Sequence, residues 1–273
     1  MADLLSDLIN AVDAADSSSL LLESVEDLAA ARLTGAIPTL ISVLGYNNRG
    51  AAVAAVEGLV QLGEPAIPAL LEQLDQHNYT ARSWAVRALA GIGDPRGLMT
   101  LLGVATADFS ASVRRAAARG LGAMKWHWFP DDLLEMAQEE ALEALSFVAQ
   151  YDEEWVVRYS AIVGLQSLHE AMPPECDWRS QIQAQLEQTA ANDAVWAVRA
   201  RACLAQQQLQ DSTATAAPQA DNQPSPLSEN DWQGILTTLY NRKQHERSVL
   251  AEGDPRRYRD LALSIAHPQE TAT

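Results

Sequence analysis

Arginines and aromatic residues recur in this chain at spacings able to build a ligand face. Arg82, Arg114, Arg158 and Arg199 each begin a helical pattern; Tyr79, Trp155 and Trp196 stand three residues ahead, and Asp108, Asp152 and Asp193 six ahead. Two chemistries fit that order. In one, the aspartate caps a helix, the aromatic closes the gap between neighbouring units and the arginine pairs with a neighbouring aspartate. In the other, arginines and stacked aromatics line an inner surface for a flat, anionic ligand. Guanidinium forks match carboxylates, and aromatic faces match planar conjugated rings. The segment His77-Asn78-Tyr79-Thr80-Ala81-Arg82-Ser83-Trp84-Ala85-Val86-Arg87 is the densest copy, and Arg114, Arg115 and Arg119 follow in the next. It places Tyr79, Arg82, Trp84 and Arg87 within about two helical turns.

Other residues carry weaker signals. Trp126-His127-Trp128-Phe129 is either a hydrophobic plug between units or a partner-binding patch, and His127 adds a group able to give a proton. Cys203 follows the inward Ala202, so we expect it to be a small buried residue; Cys176 falls in a loop, Pro173 to Trp178. No phosphate-cradling glycine loop, zinc-protease motif or nucleophile elbow is present. His77, His127, His169, His245 and His267 do not cluster at metal spacing, so no metal site is expected. Function then lies in a surface, or in a site completed by a partner.

The elements that must position these residues repeat. Ala36-Ile37-Pro38 returns as Ala66-Ile67-Pro68, and Gly58 to Pro65 returns as Ala88 to Pro95. Counting from the repeat arginine, the third position is Ala85, Ala117, Ala161 and Ala202, and the seventh is Leu89, Leu121, Leu165 and Gln206. A copy with Ala52 in the arginine place gives Ala55 and Leu59. These offsets share one helical face. A second amphipathic segment precedes each: 37–44, 67–74, 98–104, 142–148 and 182–186. Each copy is thus a helical hairpin, and hairpins that each expose an apolar side must stack. We expect an all-α chain, an α-solenoid of HEAT-like repeats over 1–209 with residues 1–33 as an acidic helical cap. A flexible linker over 210–228 and a helical or mobile extension over 229–273 follow, with a helix opening near Ser228.

Composition narrows the partners. The chain has 273 residues, 48% hydrophobic, and a net charge of −17. Such acidity disfavours nucleic acid and anionic membrane surfaces. No apolar run reaches the ~18 residues of a membrane span, and residues 1–31 hold no Lys or Arg, unlike a secretory signal. Two cysteines are too few for a disulfide framework. A soluble, cytoplasmic protein is expected.

Longer strings are more specific than the repeat. Gly45-Tyr46-Asn47-Asn48, Asn78 through Arg96, Asp108-Phe109-Ser110 and Ser112 through Gly122 resemble the HEAT-like repeats of cyanobacterial phycobilin lyases. Over about 1–209 the chain is similar to the F-type (beta) subunits of the heterodimeric lyase acting on the phycocyanin α subunit. That resemblance implies an E-type lyase subunit as partner, phycocyanobilin as substrate and a cysteine of apo-phycocyanin α as acceptor. It implies a thioether product and no metal or nucleotide cofactor. Isomerising members carry a His-Cys pair, which is absent here, so plain attachment is implied. Tyr79, Arg82, Trp84, Arg87, Arg114, Arg115 and Trp155 become candidates for the bilin or partner face. Asp108 and His127 are the candidates for proton chemistry, Asp108 through a carboxylate near the pyrrole nitrogens. A non-catalytic scaffold or chaperone for phycobiliprotein assembly, a lyase for another phycobiliprotein subunit and a chromophore-detaching enzyme are the competing readings.

Overall fold

A computed structural model describes residues 2–74, 78–214 and 226–248. Among them there are only helices and turns. The helices form hairpins in chain order: α1 (Ala2–Ala14) with α2 (Ser18–Ala30), α3 (Ile37–Val43) with α4 (Arg49–Leu62), α5 (Ile67–Leu74) with α6 (Tyr79–Ile92). Then come α7 (Leu98–Ala107) with α8 (Ala111–Gly122), α9 (Asp131–Tyr151) with α10 (Trp155–Ala171), and α11 (Trp178–Asn192) with α12 (Trp196–Ala214). The second helices stack in sequence, α2 on α4, α4 on α6, and so on to α12. A separate unit, Leu227–Thr273, contains α13 (Glu229–Ser248).

The repeat register explains the stack. The third-position alanines Ala55, Ala85, Ala117, Ala161 and Ala202 are all fully buried, as are Leu59, Leu121 and Leu165. Small residues let neighbouring helices approach, and each buried leucine contributes about 2 kcal/mol. The approach is closest between α8 and α10. A Cβ on Gly122 would enter the backbone of Gly164, and one on Gly164 would meet the Ala118 carbonyl. Local signals end and start the helices. Gly93 closes α6 at φ 68°, where any other residue would be strained. Pro38 sits in the first turn of α3, where a missing N–H costs little. Asn48 and Asn78 cap α4 and α6 by accepting the N–H of Ala51 and Ala81, each at 3.1 Å.

The acidic helical cap is a hairpin, with α2 packed on α4. Two boundaries differ from expectation. Helix α9 spans 21 residues, starting well before the expected 142–148, because Leu133 and Ala137 extend its buried stripe. Helix α12 runs on to Ala214, past the expected solenoid end at 209.

The repeat arginines join consecutive units. The Arg82 Nη1 donates to the Asp108 carboxylate at 2.8 Å. Arg114 donates to both oxygens of Asp152, at 2.7 and 3.0 Å, and Arg158 does the same to Asp193 at the same distances. Each aspartate stands in the turn of the next hairpin. It also accepts a backbone N–H two residues on: Ser110 at 2.8 Å, Glu154 at 2.9 Å, Val195 at 2.8 Å. Each carboxylate thus starts its own hairpin's second helix and holds the arginine of the hairpin before.

Candidate functional site

A second set of arginines lies on another side of the same helices. Arg49 at the start of α4, Trp84 and Arg87 of α6, and Arg115 of α8 line a groove of about 440 Å³, completed by Ser83, Ala111, Ser112 and Val156. The Arg87 guanidinium lies over the Trp84 ring, 4.6 Å from its centroid. Helical spacing brings these residues together. Ser83, Trp84 and Arg87 share one face of α6, while the stacking of α4, α6, α8 and α10 supplies the rest.

The electrostatics of this groove are unlike those of the inter-unit pairs. Burial, then the charges of Arg115 and Arg49, pull the Arg87 guanidinium below its ordinary value. In contrast, the hydrogen bonds to Asp152 and Asp193 push Arg114 and Arg158 above it, against their burial. No carboxylate among the described residues pairs with Arg49, Arg87 or Arg115. In a chain of net charge −17, three such cations around one indole are a place for an external anion. The second-helix face continues toward Arg119 and Arg201. Arg201 donates to Gln166 Oε1 at 2.7 Å, and its Nη1 is buried with no partner among the described residues. Burial, despite the nearby Tyr159 and Glu170, and the charge of Arg119 lower Arg201 as well.

The expected site residues therefore separate. Trp84, Arg87 and Arg115 come together in the groove, joined by Arg49. Arg82, Arg114 and Asp108 do not: they belong to the inter-unit pairs. Both Asp108 oxygens are taken, one by Arg82 and one by the Ser110 N–H, so its carboxylate is already committed. Tyr79 is exposed and tilts against Phe109 with centroids 4.2 Å apart, Phe109 itself being 73% exposed. Trp155 begins α10 and is exposed, beside but not among the groove residues.

The Trp126 to Phe129 stretch divides. Trp126 and Phe129 are buried against each other, and the Trp126 Nε1 donates to the Gly122 carbonyl at 3.2 Å. His127 points away, exposed, its ring edge-on to Trp128 at 6.0 Å, and it does not line the groove. Cys203 corrects an expectation: it is exposed. Its position is buried in earlier hairpins only because a following hairpin covers it. Cys176 is half-buried in the turn before α11. His77, His267 and the closing stretch 254–259 lie outside the described residues. No group of His, Cys, Asp or Glu able to hold a metal ion occurs among the described residues.

Arg49 was missed because its copy carries Ala52, not arginine, at the repeat position. Its signal was positional: it stands three residues before the repeat place, where the other copies carry Tyr79, Ala111, Trp155 and Trp196.

Comparison with known proteins decides the family. A HEAT-repeat profile matches residues 5–90 and 67–166. A phycocyanobilin lyase subunit beta of Pseudanabaena tenuis is 60% identical, over 97% of this chain and 98% of that protein. The chain belongs to the phycocyanobilin lyase beta-subunit family. The phycocyanin alpha phycocyanobilin lyase CpcF of a Synechocystis species is 45% identical over 59% of this chain and 75% of its own. The solved complex of CpcE and CpcF of phycocyanin lyase from a Nostoc species contains a chain that matches with a TM-score of 0.59 and 50% identity. The match covers 64% of this chain and 99% of that one. The all-α HEAT-repeat architecture is thus shown by fold, profile and family together.

Proposed function

We propose that this chain is the beta-type subunit of a lyase that attaches phycocyanobilin to a cysteine of the phycocyanin α subunit. In this reading the arginine groove holds the propionates of the bilin. The observation that carries the proposal is the convergence of Arg49, Arg87 and Arg115, without carboxylate partners, around Trp84. An open-chain tetrapyrrole with two propionates offers the matching groups: carboxylates for the guanidinium forks and a planar face for the indole. The family supports the same substrate, and the Nostoc relative solved with CpcE supports an E-type subunit as partner. We place the reaction in the cyanobacterial cytoplasm.

The reaction asks little chemistry of this chain. The acceptor thiol adds across the ring A ethylidene double bond. A C–S bond forms at the ethylidene carbon, the π bond is lost and the thiol proton ends on the tetrapyrrole. No atom leaves and no oxidant, metal or further cofactor is needed. The nucleophile belongs to the acceptor protein, so Cys176 and Cys203 have no part in it. Neither Asp108 nor His127 lines the groove, so the contribution of the groove residues is binding and orientation, which can lower such a barrier by several kcal/mol.

The test is co-production of this chain, an E-type partner and apo-phycocyanin α in cells that make phycocyanobilin. Covalent bilin on the denatured α subunit is then read by zinc-enhanced fluorescence. The expected result is a band that requires both lyase chains and fades about hundredfold in the Arg87→Ala/Arg115→Ala double variant. A full band from that variant would remove the groove from the site. No band from the wild type in a stable complex would favour a scaffold, or a lyase for another phycobiliprotein subunit.

A further inference from the structure

From α4 onward the second helices open alike, with one exception. On the first residue of the helix, three places before the repeat position, α4 carries Arg49, α6 Tyr79, α10 Trp155 and α12 Trp196. Helix α8 carries Ala111 there. The three aromatics are exposed, so a large side chain at this position projects from the fold rather than into its core. The stacking order puts Ala111 between Tyr79 and Trp155. The row of large side chains is broken at that one helix. The break opens into the arginine groove, which Ala111 lines while Tyr79 and Trp155 do not.

The groove cannot widen by spreading its helices. At their first turns, Arg82 ties α6 to the turn before α8 through Asp108, and Arg114 ties α8 to the turn before α10 through Asp152. Further along, the backbones approach too closely for a side chain. A Cβ on Gly120 would strike Ala90 of α6, and one on Gly122 would enter the Gly164 backbone of α10. Held at both places, the three helices leave the breadth of the groove to the side chains that line it. At position 111 nothing extends beyond Cβ. A wider side chain there has to enter the groove or push walls that are already fixed.

We propose that Ala111 is a specificity-determining residue: by interrupting the row of large side chains it gives the groove the breadth to admit a planar anion of several rings. The arginines select for charge, and Ala111 selects for width. The proposal rests on the reading of the groove as the bilin site and sharpens it. A large residue at this position would leave the guanidinium groups in place and shut out the ring system that meets them.

The test is titration of phycocyanobilin, followed by absorbance, into the complex of the full-length chain with an E-type partner. Ala111→Trp restores the kind of side chain that α10 and α12 carry at this position, and Ala111→Leu is a smaller, helix-forming filling. Affinity is expected to fall about thirtyfold for Ala111→Trp and about fivefold for Ala111→Leu, with the Tm of the free chain and formation of the complex unchanged. Equal affinity in both Ala111 variants, with Arg87→Ala/Arg115→Ala weakened, would overturn the proposal and keep the groove. Equal affinity in all three would remove the groove, and this inference with it. Loss of the complex at an intact Tm would place residue 111 at the subunit interface and overturn the proposal as well. If Ala111→Trp lowers the Tm, the Ala111→Leu titration decides alone.

Discussion

Arg114 and Arg115 are neighbours in one helix and have opposite fates. Arg114 is buried and held by Asp152 of the next hairpin. Arg115 is exposed, lines the groove and adds its charge to the field that depresses Arg87. The same contrast separates Arg82 from Arg87. Five residues along a helix turn the side chain by about 140°, enough to move it from the joint between units to the open second-helix face. Arginines at the joint raise the order of the fold. Arginines on the face are left mutually repelling, an arrangement that makes physical sense when an external anion joins them.

The largest effect should come from breaking the joint. Removing one member of a buried pair leaves an uncompensated charge. Arg114→Ala is therefore expected to cost about 3–5 kcal/mol in urea unfolding, because Asp152 stays buried. A loss below about 1 kcal/mol would show that water reaches the joint and that the pairs do not organise the stack.

Half-buried Arg179 meets no carboxylate among the described residues; its Nη1 donates to the Met172 carbonyl at 3.1 Å and its Nε to the neutral ring of His169, at Nε2, at 3.3 Å. His169 is fully buried. Burial, then the Arg179 charge, push its pKa from 6.5 down to about 4. Below pH ~6.5 the unfolded chain takes up a proton that the folded chain refuses, so stability falls as pH drops from ~6.5 and levels off below ~4. At about 1.4 kcal/mol per unit this is at most about 3–4 kcal/mol. Thermal unfolding across that range should show the loss, and His169→Gln should flatten it. A wild-type profile flat between pH 6.5 and 4 would mean that the imidazole accepts its proton in place.

The Asp193 joint acts in a lower window. Burial pushes its carboxyl up. The Arg158 hydrogen bond, the Val195 N–H and the charges of Arg158 and Arg199 outweigh that and hold it below the usual range. Its contribution is present above about pH 4 and is lost as pH falls further.

The smallest stability effect belongs to the groove. Arg115→Ala leaves no buried charge unpaired and relieves repulsion on Arg87, so unfolding free energy should change by less than about 0.5 kcal/mol. A large loss there would erase the distinction between the two sets.

Much of this was legible in the sequence. The alanines and leucines at fixed offsets from each arginine place the hairpins and their buried faces, and Gly93 and Pro38 mark helix ends through backbone chemistry alone. The aspartate six residues before each arginine carries the joint, yet the same spacing also fitted a ligand surface. Linear order could not say which way Arg82 and Arg87 point once the units stack. Arg49 was hidden in a copy without the repeat arginine, and Cys203 was misread because its burial depends on a following unit.

In the proposed function the groove arginines bind an anionic pigment while the joint arginines hold the fold. The direct measurement is titration of phycocyanobilin into the complex of this chain with an E-type partner, followed by absorbance, for the wild type and for Arg87→Ala/Arg115→Ala. The expected result is a Kd about hundredfold weaker in the double variant with an unchanged Tm. Equal affinity in the two proteins would contradict the assignment.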